Sequence, residues 1–274
     1  KDKLNDDSPA WEKVAEKEPV KASVLKYLAE YYGIEEEDFL SAELTVVPAG
    51  RCREAGLDRS LLSSYGHDDR VCAYAELEAL FSLGMPEKTA VCILADKEEI
   101  GSVGISGMQS HYFEHFMEGL CDAQGVKLSD CFANSFCLSA DVSNAFDPNW
   151  PETCDKRNNS QLNYGVAICK YTGSRGKGGA SDASAEAMGH VRSTLDKAGV
   201  IWQIATLGKV DQGGGGTVAA YMANRNIVTV DAGVPVLSMH APLELVSKLD
   251  CYETMLACKA ISVSYTHLRA HETP

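Results

Sequence analysis

The stretch TAVCILADKEEIGS, residues 89–102, decides how this chain is read. Its first half, 89–95, is a short apolar run rich in Val, Ile and Leu and bounded by turn signals, the pattern of a buried strand. Its second half places Glu98 and Glu99 where that strand should end. Side chains alternate along extended backbone, so neighbouring carboxylates can face different ways, one towards a metal ion and one towards a water beside it. A solvated acidic turn is the plainer alternative, and residues elsewhere in the chain weigh against it.

Those residues stand at three further element ends. In SSYGHDDRVCAYAELEAL (63–80), Asp68 and Asp69 precede a helical pattern carrying Val71, Ala75, Leu77 and Leu80. Asp69 suits a helix cap, since a carboxylate there accepts backbone N–H bonds and complements the helix dipole, which leaves Asp68 to be explained. Asp141 closes the apolar SFCLSAD (135–141), just before VSNAFDPNWPE, whose two prolines break regular structure. His240 follows a Val/Ile-rich strand in NIVTVDAGVPVLSMHAP (226–242) and precedes Pro242, which is expected to open the last helix. Open α/β sheets bind ligands at such strand mouths. Carboxylates with an imidazole suit zinc, cobalt or manganese, and an Asp can bridge two ions, so the constellation reads as dinuclear.

GHDDRVC, DKEEIGS, SADVSNAFDPNW, DQGGGGT and VDAGVPVLSMH, in this order and at these separations, resemble the motif series of the aspartyl aminopeptidase and aminopeptidase I family of dinuclear zinc exopeptidases, over residues 11–261. The resemblance implies a zinc-exopeptidase-like α/β fold: a mainly parallel sheet flanked by helices, with part of a smaller inserted oligomerisation domain. It implies Asp68 as the carboxylate bridging two zinc ions, Glu98 as general base, Glu99 and His240 as ligands of one zinc and Asp141 as ligand of the other. It also implies a cis peptide bond between Asp68 and Asp69. The family pattern expects a histidine well upstream of the bridging Asp, whereas the first histidine here is His67, beside the bridge and unable to serve. On this resemblance the chain is a fragment truncated at its N-terminus, with the Asp68, Glu99 and His240 site complete in protein ligands and the Asp141 site one short.

Two glycine-rich stretches are candidates for substrate contact. GSRGKGGASDASAEAM (173–188) lacks the spacing of a nucleotide phosphate loop; its Arg175 and Lys177 suit a loop approaching the substrate, with small residues permitting close backbone contact. DQGGGGTVAAY (211–221), with Asp211 and Gly215, puts four glycines before a helical pattern. Backbone N–H groups there could bind an oxyanion or carboxylate, and a simple flexible turn is the alternative.

A chain of 274 residues, 45% hydrophobic, can bury one large catalytic domain plus a smaller piece. A net charge of −14 argues against nucleic acid as a partner, and no stretch reaches the length of a membrane span. The ten cysteines are scattered through apolar surroundings without a CxxC pair, which points to free thiols in a reducing, cytoplasmic compartment.

Residues 1–49 hold a polar start, an amphipathic VKASVLKYLAEYYG and a strand-like AELTVVPAG (42–50); the resemblance makes them a remnant of the oligomerisation domain. Residues 50–261 form the catalytic domain, with strands expected at 89–95, 135–141, 165–170, 200–205 and 227–231 and helices at 71–83, 181–198 and 243–261. The last helix is expected to bury Leu245, Leu249, Tyr252, Leu256 and Ala260. Residues 262–274 break that periodicity and resemble appended, non-native sequence. His267 and His271 have the spacing of a helical metal pair without its glutamate, and His111 and His115 share the spacing on an expected, partly buried helix face. Three functions stand. One is a zinc aminopeptidase acting on peptides, homo-oligomeric in full-length form. The others are an inactive fold-retaining fragment or assembly module, and a zinc-dependent deacylase on the same scaffold.

Overall fold

The computed structural model describes residues 9–175, 177–209 and 211–264. The chain divides into two compact units, residues 1–48 and 49–274. In the first, α1 (Ala10–Val14) leads into α2 (Pro19–Tyr32), which begins on a proline and stops at Gly33 in the left-handed conformation. Lys26 stands over the Trp11 ring, 5.1 Å from its centroid. Segment 42–50, expected to be strand-like, enters no sheet, and its Val46 is fully exposed.

The second unit contains β1 (Arg53–Ala55), β2 (Leu61–Ser64), β3 (Phe136–Ala140), β4 (Ser143–Asn144), β5 (Val166–Cys169), β6 (Tyr171–Ser174), β7 (Gly178–Asp182), β8 (Trp202–Ile204), β9 (Val228–Gly233), β10 (Pro235–Leu237) and β11 (Glu244–Ser247). Its helices are α3 (His67–Ser82), α4 (Tyr112–Gln124), α5 (Leu128–Ala133), α6 (Ala185–Ala198), α7 (Ala219–Ala223) and α8 (Lys248–Ser264).

The central sheet runs β3-β9-β5-β8, parallel at β3/β9 and β5/β8 and antiparallel between β9 and β5. Alternation along the strands sends Val166, Ile168, Val230 and Ala232 to one face, where they pack with Val191 and Leu195 of α6 and Ala257 and Ile261 of α8. Cys137 faces the other way, into a cluster of Phe113, Met117, Phe132 and Met222 from α4, α5 and α7. The expected α/β architecture is present, and its parallel pairing is concentrated in this central sheet.

Within this unit further expectations change. Segment 89–95 joins no ladder among the described residues: Val91 and Ile93 pack on the Phe113 cluster, while Leu94 is exposed. Its apolar pattern reports burial, which side-chain packing satisfies without strand pairing. The α4 helix buries Phe113, Met117 and Cys121, so His111 and His115 lie exposed on its outer side. The last helix begins at Lys248, because 244–247 is strand β11. Its buried face carries Asp250, Glu253, Thr254, Ala257, Cys258 and Ile261, while Leu249 and Tyr252 are exposed. Asp250 accepts hydrogen bonds from the Asn163 and Gly165 amides at 2.8 Å each, and Glu253 from the Ile201 amide at 2.8 Å. Buried acids thus tie the helix to the loops entering β5 and β8. The helix runs on to Ser264, past the expected boundary at 261; His267 and His271 lie outside the described residues.

The second sheet, β1-β2-β11-β10-β4, is stitched to the first. Strands β3 and β9 leave the central sheet side by side and continue as the parallel pair β4 and β10, with Ser143 opposite Pro235 and Asn144 opposite Val236. At the crossing the Asp141 amide donates to the Ala232 carbonyl (3.2 Å) and the Ser143 amide to the Val234 carbonyl (2.9 Å). A Cβ on Gly233 would stand 1.5 Å from the Asp141 carbonyl oxygen, so only glycine permits this approach. Val142, Val234, Val236 and Val246 pack beneath with Cys72 of α3. Gly233→Ala is therefore expected to force the crossing apart and destabilise the fold by about 3 kcal/mol or more. Thermal unfolding of the variant checks this, and an unchanged Tm contradicts it.

Candidate metal centre

Asp68 lies where β2 turns into α3. Gly66 at φ 73° makes the turn, Asp68 and Asp69 depart from helical backbone angles, and the peptide bond between them is cis, as the resemblance implies. Asp69 is not a backbone cap: among the described residues its Oδ1 is buried without a hydrogen-bond partner, and its carboxylate shares a side-chain hydrogen bond with Cys72. Glu98 and Glu99 open a single 3₁₀ turn, Glu98–Ile100, held between Lys97 (φ 62°) and Gly101 (φ 90°). The Ser102 amide closes the turn on the Lys97 carbonyl at 2.7 Å. Asp141 sits at the crossing between the sheets, and His240, at φ 65°, in the loop after β10.

These elements converge. His240 Nε2 lies 2.9 Å from Asp68 Oδ2 and 2.9 Å from Glu99 Oε1. Ligand atoms of Asp68, Glu99 and His240 all fall within 4.8 Å of one another, and so do those of Asp68, Asp69 and Asp141. Asp68 belongs to both groups. Asp69 was expected only as a cap, yet it contributes a carboxylate to the second group; its adjacency to Asp68 was the signal for this.

The electrostatics follow from crowding acids where water is scarce. Burial, then the charge of Glu99, pushes Asp68 up to about 6, with His240 opposing. Burial and then Asp141 push Asp69 up to about 9. Asp141 is raised well above the usual carboxylate range by burial and then by Glu98 and Asp68. Glu98 is raised by burial and then by Glu99 and Asp68. Among the described residues no Lys or Arg forms an ion pair with any of these five acids. Oxygen donors, one imidazole and uncompensated negative charge are what a hard or borderline divalent cation needs, and zinc fits this donor set.

The glycine-rich candidates meet each other. The Arg175 amide donates to the Gly213 carbonyl and the Gly173 amide to that of Gly215, both at 2.8 Å, so the β6–β7 turn bearing Arg175 and Lys177 lies against the segment of Asp211 and Gly215. A Cβ on Gly216 would come within 2.6 Å of the Gly179 oxygen, so the two glycine-rich segments approach each other closely. Among the described residues no hydrogen bond or ion pair joins Arg175, Lys177 or Asp211 to the acid cluster. The base of the hairpin does reach it: Thr172 lines a small cavity with Asp141, Asp231 and Thr217, and the Thr217 hydroxyl donates to Asp231.

Acids held above their unfolded pKa keep protons that the unfolded chain releases, so the stability they bring is lost as pH rises through their folded values. Asp68 and Asp231 do so near 6, Glu76 near 7 and Asp69 near 9. Buried His67 and half-buried His190, both shifted down by loss of solvent, act oppositely, but only below their ordinary value of 6.5. From pH 6.5 to 9 the metal-free chain should therefore lose Tm, and zinc should flatten that slope. Thermal unfolding in chelator and in zinc across this range measures both.

A family model described as aminopeptidase I zinc metalloprotease (M18) matches residues 3–261. A probable M18 family aminopeptidase 1 of Clostridium acetobutylicum is 51% identical over 243 residues, which are 87% of this chain and 52% of that protein. The crystal structure of an M18 aminopeptidase from Thermotoga maritima superposes with a TM-score of 0.86 at 47% identity, covering 91% of this chain and 56% of that one. The S. cerevisiae mApe1 dodecamer, 23% identical with a TM-score of 0.68, shares the fold. The chain thus spans about half the length of the relatives it matches. With its motifs, fold and acid cluster, the chain belongs to the M18 family of aminopeptidase I zinc metalloproteases.

Proposed function

We propose that this chain carries the dinuclear zinc centre of an aminopeptidase that hydrolyses the N-terminal peptide bond of peptides. The observation that carries the reading is the meeting of Asp68, Glu99 and His240 within ligand distance of one another, with Asp68 shared by the second acid group. Asp68 would bridge two ions, Glu99 and His240 would complete one site, and Asp141 would hold the other; cobalt or manganese suits the same donors. Zinc, when bound, supplies Lewis acidity that polarises a carbonyl and makes water acidic near neutral pH.

Glu98 acts on the water. Its carboxyl is raised by burial and by the neighbouring Glu99 and Asp68, which makes it a stronger base than a free glutamate and lets it hold a proton for the leaving amine. The same side chain takes the proton from the attacking water and delivers it to the amine nitrogen as the C–N bond breaks. Asp141 and Asp69, raised by burial and by neighbouring acids, hold their protons near neutral pH until a cation displaces them. Arg175, Lys177, Asp211 and Gly215 are proposed to meet the substrate from the hairpin side, by way of the cavity at Thr172.

Residues 1–49 are proposed to belong to an oligomerisation domain of a homo-oligomeric parent, in keeping with the dodecamer formed by the yeast relative. Ten unpaired cysteines suit a cytoplasmic protein, and no helix among the described residues is long and apolar enough to cross a membrane.

Glu98→Gln is expected to keep bound metal while aminoacyl-amide hydrolysis falls about 10²- to 10⁴-fold, the usual share of a general acid–base group. His240→Ala is expected to lose metal and activity together. Metal content and hydrolysis measured on the same samples test this; metal retained in full by His240→Ala would contradict the ligand assignment.

A further inference from the structure

Glu244 is the most deeply buried acid beside the centre, 2% exposed, at the first position of β11 opposite Ser64 of β2. Its two oxygens are divided between two distant parts of the chain. Oε2 accepts from the Asp68 amide at 3.2 Å and Oε1 from the His240 amide at 2.8 Å. One carboxylate therefore grips the main chain of both residues whose side chains meet 2.9 Å apart. Neither grip could come from a sheet ladder, because Asp68 has left β2 and His240 stands in the left-handed region beyond β10.

We propose that Glu244 is the positioning residue of the metal centre, fixing the separation of Asp68 and His240 through their backbone amides. The inference rests on reading those two residues as ligands. Charge-assisted bonds from a carboxylate to two N–H groups are stronger than neutral ones, and both of its oxygens are occupied by them, so Glu244 acts through the ligands. An ionised carboxylate is required for both grips at once. A glutamine in the same place offers one acceptor oxygen and turns an NH₂ towards the other amide, setting donor against donor. Partners that orient ligands in this way commonly change metal affinity 10- to 100-fold when replaced.

The test uses the whole chain. Zinc affinity by chelator competition and amide hydrogen exchange are measured for the native chain, Glu244→Gln and His240→Ala. Glu244→Gln is expected to bind zinc at least about tenfold more weakly, with exchange at the Asp68 or His240 amide accelerated and protection in β9 unchanged. Zinc affinity within twofold of the native chain, with unaltered exchange at both amides, overturns the proposal. Absence of zinc binding by the native chain sinks the metal-centre reading instead, and exchange in the metal-free chains then decides on the clamp: acceleration at either amide upholds it and no change overturns it. Should Glu244→Gln fail to fold, Glu244→Asp takes its place. It keeps the charge but is one methylene short, so protection must be lost at one of the two amides for the proposal to stand.

Discussion

Mutual repulsion among carboxylates is the constraint on which this structure turns. Asp68, Asp69, Asp141, Glu98 and Glu99 share one small region with a single imidazole, and each ionised acid makes the next harder to ionise. Solvent cannot relieve the inner members, since burial is the largest cause of the shifts at Asp68, Asp69 and Asp141. Left to itself such a cluster would open. The favourable terms that hold it closed must come from elsewhere in the fold.

They come from the stitching of the two sheets. Asp141 cannot retreat because its amide is bound to Ala232 and its carbonyl lies against Gly233, with Val142, Val234 and Val236 packed beneath. Asp68 is anchored from the other side by α3, whose Cys72 joins that same apolar cluster and whose length packs on α8. The α8 helix is itself fixed by Asp250 and Glu253, whose hydrogen bonds to loop amides offset part of the cost of burying these acids. Apolar packing, guided by these hydrogen bonds, thus holds the crowded acids in place.

The sequence made legible those features that depend on local pattern. Asp68, Glu98, Glu99, Asp141 and His240 stand beside apolar runs at element ends, and that placement marked them before any geometry was known. The runs 135–141 and 227–231 became β3 and β9 because a largely apolar run suits a sheet covered on both faces. Features that depend on distant partners were hidden. The run at 89–95 has the apolar pattern of a strand, but apolarity reports burial and is silent about ladder partners. Leu245, Leu249 and Tyr252 fit a helical stripe, yet β11 claims the first and solvent the others, because the true buried face of α8 is marked by acids. Glu244 gave no signal, since its partners are backbone amides brought close only by the β2–β11–β10 pairing.

The centre is unequal on its two sides, and that inequality sets how anything reaches it. The Asp68 side chain is 10% exposed, while the side chains of Glu99 and His240 are each 60% exposed. Asp141 is held by the crossing, whereas Glu99 lies in a turn flanked by positive-φ residues and His240 is itself at positive φ. Buried donors on rigid elements form a floor whose geometry is set when the chain folds. Exposed donors on turns form a rim, and ordering their side chains costs entropy at the moment of binding. Glu244 reduces that cost for His240 by fixing its main chain, and no comparable side-chain grip is seen on Glu99 among the described residues. Glu99 is accordingly the side chain of the cluster least constrained by its surroundings. The exposed side of the cluster is therefore the side of Glu99 and His240, and its buried side that of Asp68.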